Sequence, residues 1–244
     1  MQILGIRIDN LTKKEILEKI EFFLNEPKSC LPAGRFHQIA TINPEFILEA
    51  KKNKEFRKVL SVCDLNVADG SGIFFAFLRF GKKLKCRFAG VDLMDEILKI
   101  AEGRGLTVFL AINKYGLSSF EEIKKALLKL YPGLLINGTD MDPSTSLRFA
   151  QDDKNNIVAD ILLVNFGAPH QEIFLNSQKN DKINLAMGVG GSFDYLTGKV
   201  PRAPKWMRKI GLEWLFRLII EPQYRFKRIF RAIIIFPLRI LLNK

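Results

Sequence analysis

Cysteine and histidine are scarce in this chain. Its 244 residues include three cysteines, Cys30, Cys63 and Cys86, and two histidines, His37 and His170. No two cysteines have CxxC spacing, so the thiols read as small hydrophobes of a reducing compartment and not as a disulfide framework. Nothing supplies a three-ligand metal set, and His170 reads as a surface or hydrogen-bonding residue. A GKS or GKT phosphate loop is missing. No GxGxxG opens a first βαβ unit, which argues against a nicotinamide or flavin enzyme. Long apolar runs are also missing. The best candidate, Ile229 to Leu242, is broken by Arg231 and Arg239 and contains Pro237, whereas a spanning helix needs about 20 mostly apolar residues. The opening MQILGIRIDNLTKKE has no basic region and no cleavage pattern, so it reads as a first strand running into a helix.

What the chain has in excess is positive charge, concentrated at one end. Arg202 to Lys244 holds eleven Arg or Lys residues against two acids, Glu213 and Glu221, and so carries most of the whole chain's net +12. The cations are interleaved with apolar residues: Arg225, Arg228 and Arg231 recur at three-residue spacing, and Ile229, Ile233, Ile234 and Phe236 are available to enter an apolar layer. Trp206 and Trp214 add interfacial anchors. A nucleic-acid surface explains the charge and leaves the isoleucines without a role. An oligomer interface explains the isoleucines better than the arginines. An anionic membrane surface explains both, since each cation near such headgroups gains about 1 kcal/mol and long basic side chains can lay their stems on apolar surface.

Upstream of this segment, short branched runs alternate with segments of three- and four-residue apolar spacing. Strands are expected at Gln38–Ile42, Leu65–Ala68, Thr107–Ile112, Leu134–Asn137, Ile161–Asn165 and Leu185–Val189. Helices are expected at Lys13–Leu24, Phe46–Leu60, Leu93–Ala101, Phe120–Leu130 and Gln171–Gln178. The alternation predicts an α/β fold, Rossmann-like, with a largely parallel sheet covered by helices on both faces. It stops after Asp194. The expected division is an α/β catalytic domain over 1–198 and a helical, membrane-associating appendage over 199–244, with helices from Lys205 to about Ile220 and from Gln223 to Phe236.

Open parallel sheets bind ligands beyond the carboxyl ends of their strands, so the polar residues just after each strand are the ones to inspect. Five groups stand there. Thr41-Ile42-Asn43-Pro44-Glu45 offers a helix cap in Asn43 and crevice hydroxyl and amide groups in Thr41 and Asn43. Ala68-Asp69-Gly70-Ser71-Gly72 puts a carboxylate before an open, glycine-flanked helix start, suited either to capping or to general-base work. Arg87 precedes the Gly90 turn into an apolar helix, which suits a phosphate clamp. Gly167-Ala168-Pro169-His170-Gln171-Glu172 turns tightly into a helix with two polar residues in its first turn. Gly188-Val189-Gly190-Gly191-Ser192-Phe193-Asp194 provides backbone N–H groups that can wrap a diphosphate, a weak signal alone because any tight turn uses glycine.

Together these motifs resemble the WecG/TagA/CpsF family of glycosyltransferases. The resemblance rests on TINPE, ADGSG, RFAGVDL, GAPHQE, and GVGGSFDYLTGKVPRAP running into GLEWLFRLIIEP, and it covers the chain from its N-terminal region to about residue 228. It implies an inverting enzyme of bacterial surface-polymer synthesis, needing neither metal nor other cofactor. The implied reaction moves an N-acetylmannosamine-type sugar from a UDP donor to a GlcNAc-diphospho-undecaprenol acceptor. Asp69 matches the family's proposed base. Thr41, Arg87 and Gln171 match its substrate residues, and Arg217 matches the arginine that the appendage brings to the site. Two crevice loops depart from the family pattern: Ala111-Ile112-Asn113-Lys114 stands where a glycine-rich turn is usual, and Asn137 to Pro143 where an aromatic-bearing loop is usual.

The resulting expectations are specific. Asp69 is the catalytic base; Thr41, Asn43, Arg87, Gln171, Gly190, Gly191, Asp194 and Arg217 bind substrate; Arg225, Lys227, Arg228 and Arg231 touch membrane or diphosphate. The protein works peripherally at the cytoplasmic face of a bacterial membrane without nucleic acid, and a second copy of itself is a further candidate partner. Two other functions compete: transfer of the corresponding mannosaminuronic acid, and noncatalytic sensing of a nucleotide sugar at the membrane.

Overall fold

The computed structural model describes residues 1–25, 36–144, 157–179 and 182–242; Cys30 and the last two residues lie outside that set. The chain opens with a two-stranded antiparallel ribbon, β1 (Gln2–Ile3) and β2 (Ile6–Arg7), separate from the main sheet. A single first strand is what the apolar start suggests; the reversal at Leu4-Gly5 splits it into two.

Helix α1 (Lys13–Asn25) leads to β3 (His37–Ile42), α2 (Pro44–Ala50), α3 (Lys54–Val62), β4 (Leu65–Ala68) and α4 (Ser71–Arg79). Then come α5 (Gly90–Arg104), β5 (Thr107–Asn113), α6 (Phe120–Leu130), β6 (Leu135–Met141) and β7 (Ile161–Val164). The body ends with α7 (His170–Ser177), β8 (Leu185–Gly188) and α8 (Ser192–Leu196). Strands β3 to β8 form one parallel sheet in the order β4-β3-β8-β7-β5-β6. The expected parallel α/β fold is the one observed.

Period-two alternation sends the side chains of one strand into separate apolar clusters. Along β7, Ile161 and Leu163 enter the apolar cluster formed with α1, α5 and α6, while Leu162 and Val164 enter the cluster against α7. Strands β3, β4, β7 and β8 are buried along their whole length, and β7 and β8 read accordingly as short continuous apolar runs. The expected helix Phe46–Leu60 is two helices, because the Asn53 side chain accepts from the Phe56 N–H at 3.0 Å and starts a new one. Helix α4 has no counterpart among the periodic segments, since its apolar residues run consecutively from Ile73 to Leu78.

The C-terminal segment folds as α9 (Lys205–Lys209), α10 (Glu213–Ile220), α11 (Pro222–Phe230), a π-helical turn at Arg231–Ile235, and α12 (Phe236–Leu242). Gly211, with φ +81°, breaks the single helix expected over Lys205 to Ile220. Helix continues beyond Phe236 despite Pro237. In the π turn the Phe236 N–H reaches five residues back to Arg231, which loosens the ladder where Pro237 can donate nothing. No described helix is long and apolar enough to cross a membrane.

Phe236 corrects an expectation. It does not face an outer layer: it is fully buried with Ile240, in one cluster with Ile42, Ala68, Ile73 and Phe77. Its ring borders Gly72 of α4, where a Cβ would stand 3.6 Å from Phe236 and only 2.4 Å from Pro44. The outward line of the same segment is Phe226, Phe230, Ile234, Leu238 and Leu241, at four- and three-residue spacing, each between 44% and 62% exposed. The C-terminal segment is therefore two-sided, with one edge in the protein core. Phe236→Ala is expected to cost about 3–5 kcal/mol in urea unfolding, whereas Leu238→Ala should stay within about 0.5 kcal/mol of wild type.

Candidate active site

Asp69 follows β4 at the carboxyl edge of the sheet, its N–H bonded to the Ile42 carbonyl at 2.8 Å. Its carboxylate accepts from the backbone N–H of Gly90, the first residue of α5. Thr41, at the end of the neighbouring strand, is buried against the same Gly90, where an added Cβ would come within 3.2 Å of its hydroxyl oxygen. The starts of α4 and α5 and the end of β3 thus converge on one point. That convergence brings together two of the expected site residues.

The C-terminal segment closes this point. Arg202 pairs with Asp92 in the first turn of α5 at 2.6 Å, and Arg208 lies 3.9 Å from the same carboxylate. Arg87 donates to the Arg208 carbonyl at 2.6 Å, and so ties the loop before α5 to α9. On α10, Arg217 pairs with Glu213 one turn earlier at 2.9 Å. Its guanidinium also lies 5.1 Å from the centre of the Tyr195 ring of α8. The Arg217 Nε is buried without a hydrogen-bond partner among the described residues, so a donor is left over for an anionic group.

Burial pushes the Asp69 carboxyl up to about 6. The positive charges of Arg217 and Arg87 and the Gly90 N–H hold it down, while the negative charge of Glu213 raises it further. A carboxyl with that value is largely ionised at neutral pH yet basic enough to take up a proton. Glu213 and Tyr195 are neighbours of Arg217 that sequence reasoning missed. The Glu213–Arg217 four-residue spacing on a helix was the available signal; for Tyr195 there was none.

The remaining expected residues have other attachments. Asn43 caps α2, its Oδ1 accepting from the Phe46 N–H at 3.1 Å. Asp194 accepts from the Ser118 hydroxyl at 2.8 Å and so anchors the loop before α6. Gln171 is buried: its Oε1 accepts from the N–H groups of Gly167 and Gly190, both at 3.1 Å, and its Nε2 donates to Glu172 at 2.6 Å. The side chain staples two glycine turns together, and the Gly190 N–H is already engaged. Gly191 remains exposed at the start of α8. Of the four expected outer cations, Arg225 pairs with Glu221 at 2.8 Å, Arg228 with Glu45 at 2.5 Å and Arg231 with Glu49 at 3.7 Å. Lys227 is exposed. Arg228 and Arg231 thereby fasten the segment to α2.

Glu172 is buried beside the staple, and burial pushes its carboxyl up to about 8 against the bond from Gln171. Gly188 makes room for both side chains; a Cβ there would lie 2.4 Å from Gln171 and 2.7 Å from Glu172. Among the described residues no three or more His, Cys, Asp and Glu side chains are grouped to hold a metal ion.

A family model described as "Glycosyl transferase WecG/TagA/CpsF family" matches residues 1–244. Among curated proteins, the N-acetylglucosaminyldiphosphoundecaprenol N-acetyl-beta-D-mannosaminyltransferase of Staphylococcus aureus (strain MRSA252) is 32% identical over 229 residues, covering 91% of this chain and 85% of the relative. The protein of the same name from Bacillus subtilis (strain 168) is 32% identical over 194 residues, covering 78% and 73%.

Two outcomes test the staple. Gln171→Ala orphans two backbone donors, each worth about 1–3 kcal/mol when buried and unpaired, so a stability loss of at least about 2 kcal/mol is expected in urea melts. Glu172→Gln should gain stability relative to wild type as pH rises from about 4.5 to about 8. Over that window the unfolded wild-type chain releases the proton that the folded chain keeps, so folding of the wild type alone is penalised. A difference between the two proteins that stayed constant from pH 5 to 8 would refute the assignment.

Proposed function

The chain belongs to the WecG/TagA/CpsF family of glycosyl transferases, and from that premise we propose that it transfers N-acetylmannosamine, or a related hexosamine, from a UDP donor to GlcNAc-diphospho-undecaprenol. The product is an intermediate of a bacterial cell-surface polysaccharide or teichoic acid. The acceptor and the sugar follow the names of the two relatives. The observation that carries the residue roles is the meeting of Asp69, Thr41, Arg87 and Arg217 around the start of α5.

In this reading the chemistry is one displacement with inversion. The acceptor hydroxyl oxygen attacks the anomeric carbon and its proton passes to the Asp69 carboxylate. The bond from the anomeric carbon to the diphosphate oxygen breaks, and UDP departs with the electron pair. Negative charge grows on the diphosphate, where Arg217, with its unpartnered Nε, and Arg87 provide fixed positive charge. Thr41 presents its hydroxyl to the sugars beside Gly90. Gln171 acts indirectly, by holding the Gly167 and Gly190 turns in register.

The substrate is a membrane lipid, and the C-terminal segment supplies the attachment. Its outward apolar stripe and its cations suit an anionic membrane surface. Peripheral association at the cytoplasmic face follows, where nucleotide sugars are found. Arg228 and Arg231, held by Glu45 and Glu49, keep the segment in the position that delivers Arg217.

The test is transfer of radiolabelled sugar from UDP-ManNAc, and separately from the UDP-mannosaminuronic acid, to a synthetic GlcNAc-diphospholipid. Asp69→Asn should lower kcat by more than about 100-fold with substrate binding retained, the scale of a lost general base. For the wild type, kcat/KM should rise as pH climbs through about 6, as Asp69 loses its proton. Glu213→Gln should move that limb to lower pH and Arg217→Ala to higher pH, by the signs of the charges removed. Near-normal transfer by Asp69→Asn would sink the base assignment, and absence of transfer by the wild type with either donor would favour a sensor.

A further inference from the structure

Helix α4 begins two residues after Asp69 and contains IFFAFL from Ile73 to Leu78, six apolar residues in succession. Ile73, Ala76 and Phe77 are fully buried in the core. The opposite face is apolar as well: Phe74 is 47% exposed, Phe75 38% and Leu78 57%. A helix that is apolar all round belongs in a protein interior or against lipid, and on this one only half the surface has found protein.

Its neighbour says what covers the rest. Helix α4 packs on α12, with Phe236 and Ile240 entering the same buried cluster as Ile73 and Phe77. The outer faces of the two helices therefore lie side by side, and the Phe74–Phe75–Leu78 face extends the outward stripe of the C-terminal segment on the body side. The surroundings are cationic. Arg79, Lys82 and Lys83 follow immediately and are exposed, and no acid occurs between Ser71 and Val91.

We propose that the outward face of α4 enters the hydrocarbon boundary of an anionic bilayer together with the α11–α12 stripe, so that the α/β body itself, and not only its C-terminal segment, contacts the membrane. The proposal rests on the membrane reading given above. An apolar face edged by exposed cations is the complement of acyl chains beneath anionic headgroups. It also places the chemistry. At 1.5 Å per residue a nine-residue helix is about 14 Å long, so Asp69, at the far end of α4, sits within that distance of the inserted face. A sugar joined by a diphosphate to a membrane-embedded lipid meets the base at that height.

The experiment is flotation of the full-length protein with vesicles of phosphatidylglycerol and phosphatidylcholine, and with phosphatidylcholine alone, at constant salt. Three full-length proteins are compared: wild type, Phe74→Ser/Phe75→Ser/Leu78→Ser, and Leu238→Ser/Leu241→Ser. Phe75→Ser alone serves as a milder α4 variant should the triple variant unfold, and urea midpoints check each protein. The expected result is at least a tenfold drop in partitioning to the anionic vesicles for the triple α4 variant with an unchanged urea midpoint, and a drop for the α12 variant too. Retention of wild-type partitioning by both α4 variants, with loss only in the α12 variant, overturns the proposal and leaves the membrane reading standing. Failure of the wild type to float with anionic vesicles overturns both. Should sedimentation velocity find a wild-type dimer that the α4 variants dissolve while their vesicle binding is unchanged, the face is a contact between copies and the proposal fails.

Discussion

Burial of Phe236 and Ile240 beside α4 is the contact on which the site depends. These side chains fold the end of the chain back onto the sheet's carboxyl edge, next to Pro44 and Gly72. Helices α10 and α11 lie between that anchor and the Arg202–Asp92 pair at the start of α5. With both ends tied, α10 has little choice of position, and Arg217 and Glu213 come within electrostatic reach of Asp69. A C-terminal segment that only floated beside the body would deliver no charge there. Two fully buried large side chains are worth several kcal/mol together, more than the partly exposed ion pairs of Arg228 and Arg231 supply.

The same anchoring explains how one segment serves two environments. Its inner edge is ordinary core. Its outer edge is an uninterrupted apolar line, kept in line across the π turn, where the helix is widened. The cations between these edges are mostly engaged with protein carboxylates, so their charge acts on the geometry of the fold. Asp69 benefits from this division. It is shielded enough for its carboxyl to rise, and flanked by enough positive charge to remain ionised at neutral pH.

Much of the body was legible in the sequence. Branched runs bounded by turn residues marked β3 to β8, and Phe120–Leu130 was found to the residue because its apolar spacing is regular and a Ser119–Glu122 capping box starts it. Helix α4 escaped because a helix with apolar residues on every side has no period to detect. Within the site, Asp69, Thr41, Arg87 and Arg217 could be picked out from motifs that follow strands or that resemble the family's. Gln171 was read as a ligand-facing residue, yet both ends of its amide are taken by protein groups. Nothing in a glutamine's neighbours along the chain says which way its amide points, since its partners Gly167 and Gly190 belong to different turns.

The sequence by itself determined the class of fold, the carboxylate at the end of β4 and the amphipathic, cationic character of the last forty residues. Each of these is a local property, written in periodicity, in turn chemistry or in composition. Only the tertiary structure decided which face of the C-terminal segment is core and which is free, that Glu213 and Tyr195 hold Arg217, and that α4 leaves three large apolar side chains uncovered. Those outcomes depend on contacts between different elements, and for the C-terminal segment and α4 between residues more than a hundred positions apart, where packing chooses among faces that local pattern leaves equivalent.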